Sequence, residues 1–339
     1  MKLKDFSFNL PKDRIARFPS NKREESKLMM VERKTGKITH HVFKDIVYLI
    51  SCDDFLVLNN SKVIPVKLFG KINGKIVEVL IVKRKDKHLV EVFALPAKRF
   101  KRGVTVLFNN FLKAEVIEIG DRGKRILKFN RDFNSVLKLG YAPLPPYIKR
   151  KFEEAEKFRE YDLDRYQTIY SKNGASIAAP TAGLHFSQEL LDKIKEKSDV
   201  LEITLNVGMA TFQKIDVENI SDHKMGREYI TIEHETVEKI KSLKHTKNLI
   251  AIGTTTVRSL ETYAIENPRE ENFYSEIFIS PGFEFKMADK LVTNFHLPES
   301  SLFILTSAFA GLELMKEAYR IAIENEYSFF SYGDVMFIV

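Results

Sequence analysis

The sequence predicts a layered α/β protein interrupted by a small antiparallel β-barrel. Three observations carry that expectation. From residue 200 onward, strand-length apolar runs alternate with segments of helical period, the rhythm of an α/β layer. Between Val63 and Phe129 the rhythm changes to five or six short β-branched runs separated by turn residues, as in a small closed sheet. The charge changes over the same stretch: Lys62–Arg131 holds eighteen Lys/Arg against six Asp/Glu, a local +12 in a chain of net charge +8, which leaves −4 elsewhere. The division expected is a discontinuous α/β domain at 1–60 and 141–339, with the barrel inserted at 61–140.

Taken in order, residues 5–19 read as a short strand and a turn or helix bounded by Pro11 and Pro19. Leu28–Val31 is a predicted strand, followed by a turn at Lys34-Thr35-Gly36-Lys37. Phe43 to Ile50 has helical spacing and leads into Asp53–Asn60, a buried strand ending in a polar pair. The barrel strands are expected at Val63–Leu68, Ile76–Val82, Leu89–Phe93, Val104–Phe108, Ala114–Ile119 and Arg125–Phe129. Leu144-Pro145-Pro146 is a stiff connection, and 151–160 a charged helix. Beyond it the spacing predicts strands at 200–207, 248–252, 275–279, 289–293 and 334–339. Helices are expected at 233–244, 256–266, 301–310 and 313–325.

Composition sets further bounds. The chain has 339 residues, 44% of them hydrophobic, enough for a sizeable core. Its most apolar run, 302–315, is interrupted by Ser307, Gly311 and Glu313, so a buried helix is expected rather than a membrane span. The N-terminus has no signal-peptide pattern. A single cysteine, Cys52, excludes an internal disulfide and a thiolate metal site. A cytoplasmic monomer is expected. The basic module is a candidate for polyanion contact through Lys98, Arg99, Lys101 and Arg102, although a lysine-rich surface of no function has the same composition.

Four segments have the makings of chemistry. In Ala178-Ala179-Pro180-Thr181-Ala182-Gly183-Leu184-His185-Phe186-Ser187 no period survives, and Ser187 suits an N-cap for a helix from Gln188. The segment is expected to be a tight loop presenting Thr181 and His185 at a helix start; an ordinary connector reads the same locally. Gly253-Thr254-Thr255-Thr256-Val257-Arg258 places hydroxyls and a guanidinium at a helix N-terminus, where a carboxylate or phosphate is favoured. Thr293-Asn294-Phe295-His296-Leu297-Pro298 holds a histidine between apolar neighbours. Phe329-Phe330-Ser331-Tyr332-Gly333-Asp334 brings aromatics to a glycine turn and an aspartate.

Together with Asp54–Pro65, these motifs resemble those of the S-adenosylmethionine:tRNA ribosyltransferase-isomerases of queuosine biosynthesis. The resemblance runs from Asp5 to Val339. It implies an α/β domain with an inserted β-barrel, the same division that charge and periodicity give. It implies transfer of the ribosyl group of S-adenosylmethionine to a 7-aminomethyl-7-deazaguanine at the tRNA wobble position, rearrangement to an epoxycyclopentanediol, and loss of adenine and methionine. S-adenosylmethionine is then a consumed substrate, and neither cofactor nor metal is expected. An S-adenosylmethionine-dependent RNA methyltransferase and a non-catalytic RNA-binding protein are the alternatives; the absence of G-x-G-x-x-G after a strand counts against the first.

The resemblance also distributes roles. A base must take a C5′ proton, and His185, His296 and Asp334 are the candidates. Asn206 and Gly226 stand where histidines are usual in the family, which removes those positions. His185 is favoured, because Ala182 and Gly183 leave room for a ligand and the following helix dipole keeps the ring neutral. Thr254, Thr255, Thr256 and Arg258 suit the methionine carboxylate. Thr181 and Asn294 are further substrate contacts. Tyr166, Phe295 or Tyr332 suits stacking on a purine, and aromatic faces or Asp334 suit the sulfonium.

Overall fold

The computed structural model describes residues 1–208 and 215–339. In chain order, β1 (Lys27–Val31), β2 (Ile38–Val42), α1 (Ile46–Leu49), β3 (Asp54–Asn59) and β4 (Ser61–Val63) come first. Six strands follow: β5 (Lys67–Ile72), β6 (Lys75–Arg84), β7 (Leu89–Leu95), β8 (Thr105–Leu107), β9 (Lys113–Ile119) and β10 (Lys124–Phe129). Three short helices come next, α2 (Phe133–Leu137), α3 (Phe152–Lys157) and α4 (Arg159–Arg165). The chain then forms β11 (Asn173–Ser176), α5 (Gln188–Lys195), β12 (Val200–Asn206), β13 (Glu228–Thr231) and α6 (His234–Lys244). It ends with β14 (Asn248–Ile252), α7 (Thr254–Glu266), β15 (Asn272–Ser275), β16 (Lys290–Asn294), α8 (Ser301–Ala310), α9 (Leu312–Glu324) and β17 (Val335–Ile338).

The chain divides into two compact units. The first holds Met1–Lys62, Pro146–Ile148 and Gln167–Val339, and the second Val63–Pro145 and Lys149–Tyr166. The charged helix region, assigned from sequence to the α/β domain, belongs to the barrel unit. The reason is local bonding: Arg159 donates to the carbonyls of Gly140 and Lys138, and Phe152 packs edge-on against Phe69 of β5. It also breaks into α3 and α4 where the predicted helix was continuous.

The first unit is built on a nine-stranded sheet in the order β15-β13-β12-β3-β14-β16-β17-β1-β2. Its centre is parallel, β12, β3, β14 and β16 all running one way. Alternation along β3 explains the layering. Phe55 and Val57 enter one core with Val257, Leu260, Phe303 and Tyr319 from α7, α8 and α9; Leu56 and Leu58 enter another with Ile46, Leu190, Leu191 and Ile194 from α1 and α5. Helices thus cover both faces, as a sheet with continuous apolar strands requires.

The second unit is a closed six-stranded barrel, β10-β7-β6-β5-β8-β9. Asn73 and Gly74 both have positive φ, 49° and 74°, and close the β5–β6 hairpin as a primed turn. Alternate residues of β6, Val77, Val79 and Ile81, fill the interior. The first barrel strand lies at Lys67–Ile72, not at 63–68, because Pro65 precedes it without an amide to donate.

Other expectations need correction. Residues 5–19 form two single turns of 3-10 helix, Leu3–Phe6 and Lys12–Arg14, in place of a strand. The strand expected at 275–279 is Asn272–Ser275, antiparallel to β13. β2, β11 and β13 had no counterpart in the sequence reading, being short and half-polar. No described helix is long and apolar enough to cross a membrane.

Candidate active site

The parallel strands bring their carboxyl ends to one edge of the first unit. Asn59, Asn206, Ile252 and Asn294 are the last residues of β3, β12, β14 and β16. β17 runs the other way, so Val335 pairs with Asn294, and Leu28 of β1 lies beside Val335. Ser26, Lys27 and Asp334 therefore stand at the same edge. The carboxyl end of an open α/β sheet is where such folds bind ligands. Motifs separated by more than two hundred residues meet there.

The 178–187 segment lies over this edge as a 3-10 turn, Thr181–His185, and Ser187 Oγ caps α5 by accepting the amide of Leu190 at 3.2 Å. The turn packs tightly: a Cβ added to Gly183 would lie 1.9 Å from Tyr170 Oη. Only glycine fits. His185 is 4% exposed, its Nδ1 2.7 Å from Ser26 Oγ and its Nε2 3.1 Å from Asn294 Nδ2. The same Nδ2 lies 3.2 Å from the carbonyl of Phe330 and 3.4 Å from that of Asp334, so its two hydrogens are shared among three acceptors. Those carbonyls fix the amide, since a flipped group would set oxygen against oxygen. Nε2 must then be the bare nitrogen and Nδ1 the protonated one, donating to Ser26. The Oδ1 of Asn294 is buried and without a partner among the described residues.

The other two base candidates are engaged differently. His296 Nε2 sits 2.9 Å from Thr293 Oγ1, its backbone amide donates to Tyr319 Oη, and burial lowers its pKa to about 3. It stays neutral at physiological pH. Asp334 accepts the amide of Lys27 at Oδ1 and that of Ser328 at Oδ2, both at 2.7 Å. Burial raises its pKa while those two amides and Lys27 pull it down. The carboxylate pins the 328–334 turn to β1. Phe295 is fully buried among Tyr319, Tyr327 and Phe329, a core side chain without a face for a purine.

The α7 terminus is only partly as expected. Gly253 has φ +92° and precedes Thr254 at the helix start. Thr255 Oγ1 accepts from Asn59 Nδ2 at 3.3 Å, and Thr256 Oγ1 turns inward to the carbonyl of Ile252 at 2.8 Å. Thr256 is wholly buried and so spent on its own helix. Arg258 points to β13, where Nη1 lies 2.5 Å from Glu228 Oε2, and both side chains are buried. Its Nε and Nη2 have no partner among the described residues. Thr181 lies half-buried at the head of the turn, and Tyr332 is buried in the 329–334 turn. Beside it Tyr147 stacks on Phe330 at 4.3 Å and bonds Ser331 at 2.5 Å.

Several site residues had escaped the sequence reading. Asn59 accepts the amides of Ser61 and Leu205 and donates to the carbonyl of Leu205, joining β3 to β12. Ser61 Oγ bonds Ser176 Oγ, which also accepts the amide of Val207. Ser26 and Glu228 partner predicted residues from positions without a motif. The polar pair ending a buried strand was the one signal available. The Met209–Phe212 part of the Thr204–Phe212 segment lies outside the described residues. Tyr166, Lys98, Arg99, Lys101 and Arg102 belong to the barrel unit: Tyr166 is buried at the end of α4, Arg99 donates to the carbonyl of Ile76, and the other three are exposed.

The profile of a family described as queuosine biosynthesis protein matches residues 3–338. The S-adenosylmethionine:tRNA ribosyltransferase-isomerases of Acetivibrio thermocellus and Clostridium kluyveri are 46% and 45% identical, each over 100% of both chains. Among solved structures, the S-adenosylmethionine tRNA ribosyltransferase of Thermotoga maritima is 34% identical over 99% of this chain and 100% of its own, with a TM-score of 0.56.

Proposed function

The chain belongs to the queuosine biosynthesis protein family, and on that premise we propose that it is an S-adenosylmethionine:tRNA ribosyltransferase-isomerase. It moves the ribosyl group of S-adenosylmethionine to the 7-aminomethyl-7-deazaguanine of a tRNA anticodon, yields epoxyqueuosine, and releases adenine and methionine. The observation that carries the site is the convergence of Asn59, the Thr181–His185 turn, Gly253–Thr255, Asn294 and Asp334 at the carboxyl edge of one sheet.

The chemistry asks for a base at C5′, where the neighbouring sulfonium acidifies the hydrogen. Nε2 of His185 carries the ring's lone pair and is the proton acceptor in this reading. Asn294 holds it in the resting state and yields the position as the substrate arrives. Thr254, Thr255, the α7 terminus and the Nε–Nη2 edge of Arg258 supply donors for the methionine carboxylate. Thr181 and Tyr332 contribute to holding the adenosyl group and the flipped base, while Asp334 serves by pinning the 328–334 turn to β1. The enzyme acts as a cytoplasmic monomer without a metal, so EDTA should leave turnover intact.

Product analysis tests the reading. Free adenine and methionine, formed only when tRNA carries the aminomethyl base, support it. S-adenosylhomocysteine as the product would make the protein a methyltransferase, and RNA binding without turnover would make it a binding protein.

A further inference from the structure

We propose that the end of the barrel formed by the β6–β7 turn and the start of α2 is a docking cleft for the phosphate backbone of RNA. The inference rests on tRNA being the substrate and adds where that substrate is gripped.

A cleft of about 790 Å³ opens between residues 84–87 and 132–138, and Arg84, Lys85, Lys87 and Lys138 line it. The two acids beside them, Asp86 and Asp132, already accept the backbone amides of Lys87 at 2.6 Å and Ser135 at 2.9 Å. Arg84, Lys87 and Lys138 make no ion pair among the described residues, and Lys85 has only Glu91, at 3.9 Å. Arg84 lies over the ring of Phe133 at 5.4 Å, which holds its charge at the wall without neutralising it.

The walls are pinned to each other. Phe133 donates its amide to the carbonyl of Lys87 at 3.1 Å, Phe129 donates to that of His88 at 2.9 Å, and the His88 ring meets the carbonyl of Arg131 at 2.9 Å. Positive charge on a fixed concave frame focuses the field inward, where a convex surface disperses it. Four Lys and Arg against two carboxylates give the hollow a net positive lining, even with Lys87 in the field of Asp132, and that suits the oxygens of a phosphodiester chain, with counterion release as the driving term. A membrane surface fits less well: the large exposed apolar side chains of the barrel strands and turns, Ile76, Leu95, Leu107, Phe111 and Ile119, all lie outside the cleft.

This cleft is separate from Lys98–Arg102. Arg99 bonds the carbonyl of Ile76 near the start of β6, whereas Arg84 ends that strand. Eight residues of strand put them roughly 25 Å apart, at opposite ends of the barrel. Each patch can be removed without touching the other.

The test is tRNA binding by the full chain carrying Lys85→Ala, Lys87→Ala and Lys138→Ala, measured across a salt series. All three residues are exposed, so the melting temperature should match the parent's. The dissociation constant should rise on the order of tenfold, and the slope of log K against log salt should flatten by about two to three. Should the variant fold poorly, acetylation of the parent's lysines with and without tRNA replaces it, with Lys85, Lys87 and Lys138 protected. Unchanged affinity and slope, or no protection, overturns the inference. So does loss of binding to phosphatidylserine vesicles with tRNA affinity intact, which would assign the cleft to a membrane. A parent that itself fails to bind tRNA would instead strike at the proposed substrate.

Discussion

Asn294 donates its amide to Nε2 of His185 across 3.1 Å, and the carbonyls of Phe330 and Asp334 decide which way that amide faces. One side chain thereby sets the tautomer of another from the end of a different element. Nitrogen NMR of the ring should find hydrogen on Nδ1 and none on Nε2 in the resting protein. In Asn294→Asp an acceptor faces Nε2, and the ring should be protonated on both nitrogens near neutral pH, with turnover lost. A resting spectrum with hydrogen on Nε2 contradicts the network.

His185→Ala should reduce turnover by roughly 10²–10⁴ and abolish exchange of the C5′ hydrogen with deuterated water. Normal exchange in this variant would remove His185 as the base. The melting temperature is the necessary control, because the ring is buried between Ser26 and Asn294.

His296 makes an acid-stability prediction. The folded protein refuses a proton, with a pKa of about 3, that the unfolded chain accepts below about 6.5. Its stability is therefore whole above pH 6.5 and is lost as pH falls toward 3, at up to ~1.4 kcal/mol per pH unit. His296→Gln removes this titration, and its unfolding free energy should vary less over that window. Equal pH dependence in parent and variant would show that the ring takes its proton in the fold.

The Arg258–Glu228 pair separates structure from binding. Arg258→Ala deprives a buried carboxylate of its cation and should cost about 3–5 kcal/mol, read as a lower melting temperature. Arg258→Met with Glu228→Leu should recover that stability. If the guanidinium also meets the methionine carboxylate, the recovered double variant retains a raised KM for S-adenosylmethionine. A parental KM would make the pair purely structural.

At the distal end of the barrel, replacing Lys98, Lys101 and Arg102 by Ala should weaken tRNA binding and flatten its salt dependence by about one for each phosphate no longer neutralised. Unchanged affinity would mean that this charge is compositional. Arg99 is left in place because its guanidinium holds the carbonyl of Ile76.

Much of the architecture was legible because it follows from period. β14, α7, β16, α8 and α9 were written in apolar spacing, and the barrel in β-branched runs with turn residues between them. The strands that escaped, β2, β11 and β13, are short and half-polar and owe their conformation to neighbouring strands. The site was legible as loops, not as chemistry. Sequence put Thr181, His185, Thr254, Asn294 and Asp334 in segments that the fold brings to one sheet edge. It could not say that Asp334 is spent on the amides of Lys27 and Ser328, that Thr256 turns inward, or that Glu228 takes up Arg258. Those are consequences of strand order, which joins residues far apart in the chain. Ser26 is the clearest example: nothing near it marks it, and it becomes a site residue only because β1 lies beside β17.

Delivery of the ribosyl group to the tRNA, and not of the methyl group, separates the proposed reaction from that of a methyltransferase. Incubation with aminomethyl-deazaguanine tRNA and S-adenosylmethionine labelled with carbon-13 either in the ribose or in the methyl group decides it, by mass spectrometry of the digested tRNA. All five ribose carbons should enter one modified nucleoside and no methyl label should, with adenine and methionine formed in equal amount. Methyl label in the tRNA, with the ribose label left in S-adenosylhomocysteine, would contradict it.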